Sequence, residues 1–284
     1  MIVCRTISET RQAVRDARKA GKVVGLVPTM GALHAGHTSL IDSADDECDF
    51  VVVSIFVNPT QFGPNEDLAK YPRTPEADLA LCEQHGADAV FMPDAEEMYG
   101  PDGKGGLTTV AVARLSETLC GRSRPGHFAG VCTVVAKLFN IVQPDRAYFG
   151  AKDYQQVTIL RRLAADLNMP VEIVTCPIVR EADGLAMSSR NVYLSTKERQ
   201  QATALYAALQ QARELVQRNH PPAEMVIQAI QDHLTAHAPL GKIDYVQLVD
   251  PDTLEDVAST AWPVHAALAV RFGRARLIDN LRLA

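Results

Sequence analysis

No stretch of this chain is apolar for long enough to cross a bilayer. The longest such run, FVVVSIFV at residues 50–57, falls well short of the ~20 residues a spanning helix needs. Nor is there an excess of basic charge. Lys and Arg number 28 against 34 Asp and Glu, giving a formal net charge of −6. That argues against a broad nucleic-acid face but permits a local basic pocket around a small anion. The six cysteines, Cys4, Cys48, Cys82, Cys120, Cys132 and Cys176, are scattered and form no Cys-x-x-Cys pair. They read as buried reduced thiols of a cytoplasmic protein. The opening residues, MIVCRTISETRQAVRD, turn charged at once, so no signal peptide is expected. No internal repeat or low-complexity tract is visible. With 47% hydrophobic and 22% charged residues over 284 positions, the chain can bury a sizeable core in one large domain or two modest ones.

Strand-like apolar runs alternate with helical stretches through the first 176 residues. Ser8 is a candidate cap for a helix over about 9–20, closed by Gly21. Buried strands are predicted at 22–27, 49–57, 88–93, 145–150 and 171–176, with helices starting near Gly36 and spanning 75–86, 129–142 and 154–168. Continuous apolar strands alternating with helices predict an α/β fold built on a doubly wound parallel sheet. The character changes near residue 177. Helical stretches at 196–219 and 222–237 precede strand-like runs at 243–249, 265–272 and 275–283. That order predicts a smaller C-terminal α+β domain. The expected domains are 1–176 and 177–284.

Four clusters carry candidate chemistry. In VPTMGALHAGH (27–37), a strand ends and a helix begins around His34 and His37. Three residues apart, the two imidazoles can share one face of the first helical turn. Gly31 and Gly36 let backbone approach a ligand, and a helix N-terminus attracts phosphate. The plain alternative for an isolated His-x-x-His is two unrelated histidines in a turn. His-Glu-x-x-His, the zinc-helix pattern, is absent. In FGAKDYQQ (149–156), Lys152 follows a strand and can meet phosphate oxygens. Asp153 can cap the next helix, and Gln156 can bond a small polar substrate; alternatively, these are solvated surface groups. In AMSSRN (186–191), Ser188, Ser189 and Arg190 form a compact anion binder or a capped turn. In FVNPTQF (56–62), the amides of Asn58 and Gln61 suit hydroxyls and carboxylates, or Asn58-Pro59 simply makes a turn.

Several of these clusters fall at predicted strand ends on one sheet edge, where parallel α/β proteins bind ligands. Together with DLAKYPRT, SRPGHFAGV, KLFNIVQPD, DGLAMSSRN and the final ARLIDN, they make the chain resemble the pantoate–β-alanine ligases, the pantothenate synthetase family, nearly end to end. The His-x-Gly-His and Met-Ser-Ser-Arg pair is also similar to the signature of the wider nucleotidylyl-transferase superfamily, shared with class I aminoacyl-tRNA synthetases.

The resemblance implies a Rossmann-like first domain binding nucleotide and pantoate, a C-terminal lid and a homodimer. It implies ATP with Mg²⁺, pantoate and β-alanine as ligands, and no nucleic acid or membrane partner. By the same resemblance, Met30, Gly31, Ala32, Leu33, His34, Ala35, Gly36 and His37 line the nucleotide site. So do Gly150, Ala151, Lys152 and Asp153, with Val179, Met187, Ser188, Ser189 and Arg190 closing from the second domain. His37, His34, Lys152 and Arg190 would be catalytic. Gln61, Gln156 and Asn58 would hold substrate, and Asp78 would contact Mg²⁺ through water. Arg124 and His127 rank second. The family stretch Gly-Glu-Lys-Asp reads Gly150-Ala151-Lys152-Asp153 here, so a carboxylate beside the lysine is missing. A different superfamily enzyme and a non-catalytic nucleotide-binding descendant are the competing readings. The first lacks an anticodon-binding appendage to support it; the second is opposed by the intact His34, His37, Lys152 and Arg190.

Overall fold

The computed structural model describes residues 1–284 except Asn65 and Trp262. The elements are β1 (Ile2–Cys4), α1 (Ile7–Lys19), β2 (Val24–Thr29), α2 (Ala35–Glu47), β3 (Phe50–Ile55), α3 (Pro75–Gln84), β4 (Ala89–Phe91) and α4 (Ala95–Tyr99). They continue with α5 (Leu119–Ser123), α6 (His127–Val142), β5 (Arg146–Gly150), α7 (Tyr154–Asp166), β6 (Glu172–Cys176), α8 (Thr196–Ala202), α9 (Ala204–Asn219) and α10 (Ala223–His237). The last three are β7 (Gly241–Val249), β8 (His265–Phe272) and β9 (Ala275–Arg282).

The chain forms two compact units. One comprises Met1–Ser116, Arg124–Ala151 and Gln156–Pro177; the other comprises Glu117–Ser123, Lys152–Gln155 and Ile178–Ala284. The last long segment thus begins beside the predicted 176/177 boundary, while two short pieces of the predicted first domain group with the second unit. Side chains explain that grouping. Gln155 accepts from the Cys120 amide at 2.9 Å and donates to the Thr118 carbonyl at 2.8 Å, and the Tyr154 hydroxyl donates to the Pro251 carbonyl at 2.9 Å.

The first unit is a six-stranded sheet in the order β1-β4-β3-β2-β5-β6, parallel throughout, as the continuous apolar runs predict. Alternation along the strands sets its faces. Val27, Val51, Val53 and Ile55 pack in one cluster with Leu40, Ile41 and Ala44 of α2. On each side of the β2–β5 pair the strand order runs outward in opposite chain sense, so this pair is the topological switch point, where such sheets bind ligands beyond the strand ends. The loops after β2 and β5 carry two of the four predicted clusters.

The second unit packs α8–α10 with the antiparallel sheet β7-β8-β9, giving the expected α+β arrangement. Leu205, Leu209, Ile230, Leu234, Leu268 and Phe272 are buried together in its core.

Details differ from the sequence reading. The first helix is capped by Thr6, whose hydroxyl accepts from the Glu9 amide while Glu9 reaches back to the Thr6 amide. Ser8 lies inside that helix. β1 is an unpredicted edge strand, and the predicted 196–219 helix breaks at Thr203 into α8 and α9. Five cysteines are buried, Cys48 is half-buried, and all six are free thiols. No helix among the described residues is long and apolar enough to cross a membrane.

Candidate active site

The loop joining β2 to α2 is folded by its glycines and by one buried carboxylate. Gly31 and Ala32 follow β2 at φ 77° and 51°, a left-handed pair that turns successive amides toward one point. The Asp78 carboxylate of α3 occupies that point. It accepts from the Ala32 amide at 3.0 Å and the Leu33 amide at 2.8 Å, and from the Thr74 hydroxyl at 3.1 Å. Asp78 is only 2% exposed, and its two oxygens are committed to the loop. Asp78, which the resemblance sets against Mg²⁺, here holds the loop.

His34 then caps α2: its Nδ1 accepts from the Gly36 amide at 3.1 Å, so the neutral ring carries its proton on Nε2. The His34 and His37 ring centroids lie 4.1 Å apart, so the two imidazoles predicted to share a face do so. The first turn of α2 contains no acidic residue, so no side chain of that turn offsets the positive end of the helix dipole.

Asn58 and Gln61 belong to a 3₁₀ turn, Pro59–Gln61. The Asn58 side chain is 1% exposed. Its carbonyl accepts from the Tyr99 hydroxyl (2.7 Å), the Thr60 hydroxyl (2.9 Å) and the Thr60 amide (3.3 Å). Its NH₂ donates to Gln61 Oε1 at 3.0 Å and to the Gly130 carbonyl at 3.2 Å. Every donor and acceptor of that amide has a partner within the protein, and one of them is Gln61 Oε1. The Gln61 NH₂ lies 3.1 Å from Met30 Sδ, which joins this cluster to the β2 loop.

Arg124 and His127 support the same turn from behind. Arg124 pairs with both oxygens of Glu66 at 2.6 and 2.7 Å. It also lies 2.9 Å from His127 Nε2, while His127 Nδ1 meets the Gln61 carbonyl at 2.8 Å. Burial raises the Glu66 carboxyl, but the Arg124 bonds outweigh it and hold the group at about 2.

Gly130 of α6 is what lets the helix approach this turn. A Cβ there would lie 2.4 Å from the Thr60 carbonyl oxygen and 2.7 Å from the Gln61 Cα. Gly130→Ala is expected to cost ~1–3 kcal/mol by overpacking against backbone, read as a lower denaturation midpoint. An unchanged midpoint would mean that the turn moves freely.

In the second unit, Arg180 and Ala186 form an antiparallel bridge, and the Met187 amide donates to the Val179 carbonyl at 3.0 Å. The hairpin so formed brings Val179 beside Met187. Ser188 accepts from the Arg190 amide at 3.2 Å and caps the turn carrying Ser189 and Arg190. Arg180 holds the hairpin to β9 through a fork onto Asp279, at 2.6 and 2.8 Å. Lys152 belongs to this unit too, its carbonyl accepting from the Asn280 NH₂ at 2.8 Å. Gly150 and Ala151 close β5 in the first unit, and Gln156 lies on α7 in that unit.

Sequence reasoning missed the groups that hold these side chains: Thr74, Tyr99, Glu66, Gly130 and Asp279-Asn280. Most lie inside or beside the blocks that carried the resemblance, but their roles depend on contacts distant in sequence.

A parallel sheet with paired histidines opening a helix at its switch point defines a nucleotide-binding α/β enzyme of the His-x-Gly-His type. The particular family follows from comparison. Residues 2–282 match the family model for pantoate–β-alanine ligase. A pantothenate synthetase of Acetivibrio thermocellus is 53% identical over 281 residues, covering 99% of both chains. The crystal structure of pantothenate synthetase from Thermus thermophilus superposes with TM-score 0.93 at 47% identity, over 100% of this chain and 99% of that one. That of the Francisella tularensis pantoate-beta-alanine ligase, complexed with beta-gamma ATP and beta-alanine, gives 0.80 at 34%, over 100% and 98%. The chain belongs to the pantoate–β-alanine ligase family and is a ligase.

Proposed function

We propose that this protein joins pantoate to β-alanine at the expense of ATP, through pantoyl adenylate. A pantoate carboxylate oxygen attacks the α-phosphorus, the bond from that phosphorus to the bridging oxygen breaks, and pyrophosphate leaves. The deprotonated amine of β-alanine then attacks the acyl carbon, and AMP leaves. Adenylation is needed because a carboxylate has no usable leaving group. Positioning and charge neutralisation supply most of the catalysis at phosphorus.

The observation that carries this reading is the β2–α2 loop, with His34 and His37 4.1 Å apart at a helix N-terminus, in a chain that matches the family from residue 2 to 282. Met30–His37 and Gly150–Asp153 bind ATP, with Lys152 on the phosphates. His37 stabilises the charge that develops as pyrophosphate departs. Gln61 and Gln156 hold pantoate, Gln61 also facing β-alanine. Val179 and Met187–Arg190 meet the nucleotide when the C-terminal domain, 177–284, acts as a lid. Closure excludes water from the adenylate. Mg²⁺, entering with ATP, would neutralise charge on the triphosphate. The protein works in the cytoplasm as a homodimer.

The test is AMP release from ATP with each acceptor omitted in turn. Steady release is expected only with pantoate and β-alanine together, and exchange of pyrophosphate into ATP with pantoate alone. AMP release without pantoate would defeat the reading. In the same assay Gln156→Ala should raise the pantoate KM by ~10–10²-fold, the loss of one hydrogen bond to a charged group. An unchanged pantoate KM would remove Gln156 from the site.

A further inference from the structure

Strand β9 carries two consecutive polar side chains that are both buried: Asp279 is 2% exposed and Asn280 5%. Neighbouring residues of a strand face opposite ways, so two separate environments take a polar group here. Well-packed apolar residues would serve stability as well or better. Asp279 is accounted for by its fork with Arg180. Asn280 has a different set of partners. Its Oδ1 lies 3.0 Å from His265 Nε2, and its NH₂ donates 2.8 Å to the carbonyl oxygen of Lys152. Both contacts fix the amide's orientation: the carbonyl of Lys152 can only accept, so nitrogen faces it, and oxygen faces the imidazole N–H.

His265 is itself held. It is 4% exposed, and the Tyr154 ring stacks on it at 3.7 Å with 13° between the planes. Burial pushes its imidazolium down to about 4, so near neutrality the ring is uncharged and supplies a single N–H, here to Asn280. The chain His265–Asn280–Lys152 therefore ends on the backbone of the lysine assigned to the phosphates.

We propose that Asn280, oriented by His265, is a positioning residue that sets Lys152 for the adenylation step. This rests on the assignment of Lys152 to the ATP phosphates. Asn280 touches no reacting atom; it fixes the peptide from which the ammonium extends. A displacement of about 1 Å at a phosphate-binding group lowers turnover by ~10²-fold.

The test is a double-mutant cycle on pantoate-dependent exchange of pyrophosphate into ATP, run with the full-length protein. Asn280→Ala is expected to lower the exchange kcat by ~10–10²-fold, with a smaller change in ATP KM. Conversion of supplied pantoyl adenylate and β-alanine to product should stay within a few-fold of wild type, because pyrophosphate is absent from that step. In a Lys152→Ala background, Asn280→Ala should add no further loss, since coupled residues are not additive. His265→Leu should reproduce the Asn280→Ala defect, while His265→Gln, which keeps an N–H near the Nε2 position, should restore most of the rate. Equal loss in both half-reactions, additive loss with Lys152→Ala, or full activity in His265→Leu would each overturn the proposal. No exchange in the wild-type protein would instead defeat the adenylation reading on which it rests.

Discussion

His37→Ala is expected to slow pantoyl adenylate formation by ~10²–10³-fold, the usual effect of removing one preorganised donor to a developing anion. The reason lies in how the ring is placed. His37 is the third residue of α2, and its ring sits 4.1 Å from that of His34, the helix cap. The cap bond from the Gly36 amide to His34 Nδ1 at 3.1 Å fixes one imidazole, and the second lies beside it, tilted by 34°. The His34 ring is thus held before any nucleotide arrives, which limits the reorganisation needed around its neighbour when charge develops. The loss should appear in kcat for exchange of pyrophosphate into ATP, with a smaller change in ATP KM, because the interaction strengthens as the phosphorus–oxygen bond breaks. His37→Gln, which retains an N–H donor, should recover part of the rate. Exchange at a near-normal rate in His37→Ala would strip the residue of its role, whatever the sequence motif suggests.

How much of this was readable from the sequence varies with the range of the contacts involved. β2 and β3 were legible because both faces are covered, which leaves an unbroken apolar run. β1 was not: it has three residues, two of them exposed, and exists only because β4 offers it an edge. The cap at Thr6 is legible in principle, since Thr6-x-x-Glu9 is a capping box, although Ser8 offers a competing cap two residues on. The break at Thr203 had no comparable signal, although its hydroxyl bonds back to the Gln200 carbonyl at 2.8 Å, a contact that competes with helical geometry.

The candidate site divides along the same line. The grouping of His34 with His37, and of Ser188 with Arg190, is local and could be read from spacing. The tasks of Asn58 and Asp78 could not. Asn58 reaches Gly130 across 72 positions, and Asp78 reaches Ala32 across 46. Spacing in the sequence does not show which distant groups a polar side chain will reach.

Asp78 gives the second large effect. Asp78→Ala removes the acceptor for two loop amides and for the Thr74 hydroxyl, leaving half-buried donors without their partner. A charged acceptor of this kind contributes ~1.5–3 kcal/mol per bond. Water entering the vacated space recovers part of that, so a net destabilisation of ~2–4 kcal/mol is expected. Ala32 makes the loop especially dependent on it: a non-glycine residue at φ 51° is held by the bond its amide makes and is otherwise drawn back toward the right-handed region. With the loop released, His34 and His37 lose their common frame, and adenylation should fall at least as far as in His37→Ala. The decisive measurement needs no ligand. A residue that only contacts Mg²⁺ leaves the melting temperature of the metal-free, nucleotide-free protein unchanged, and added Mg²⁺ restores part of its activity. A loop holder lowers that melting temperature by ~5–10 °C, and no Mg²⁺ concentration rescues the rate. Asp78→Asn should fall between wild type and alanine, since one oxygen can still accept while the new NH₂ opposes the second amide. If metal-free Asp78→Ala melts with the wild type and regains turnover in excess Mg²⁺, the loop-holding role is wrong and the ion belongs there after all.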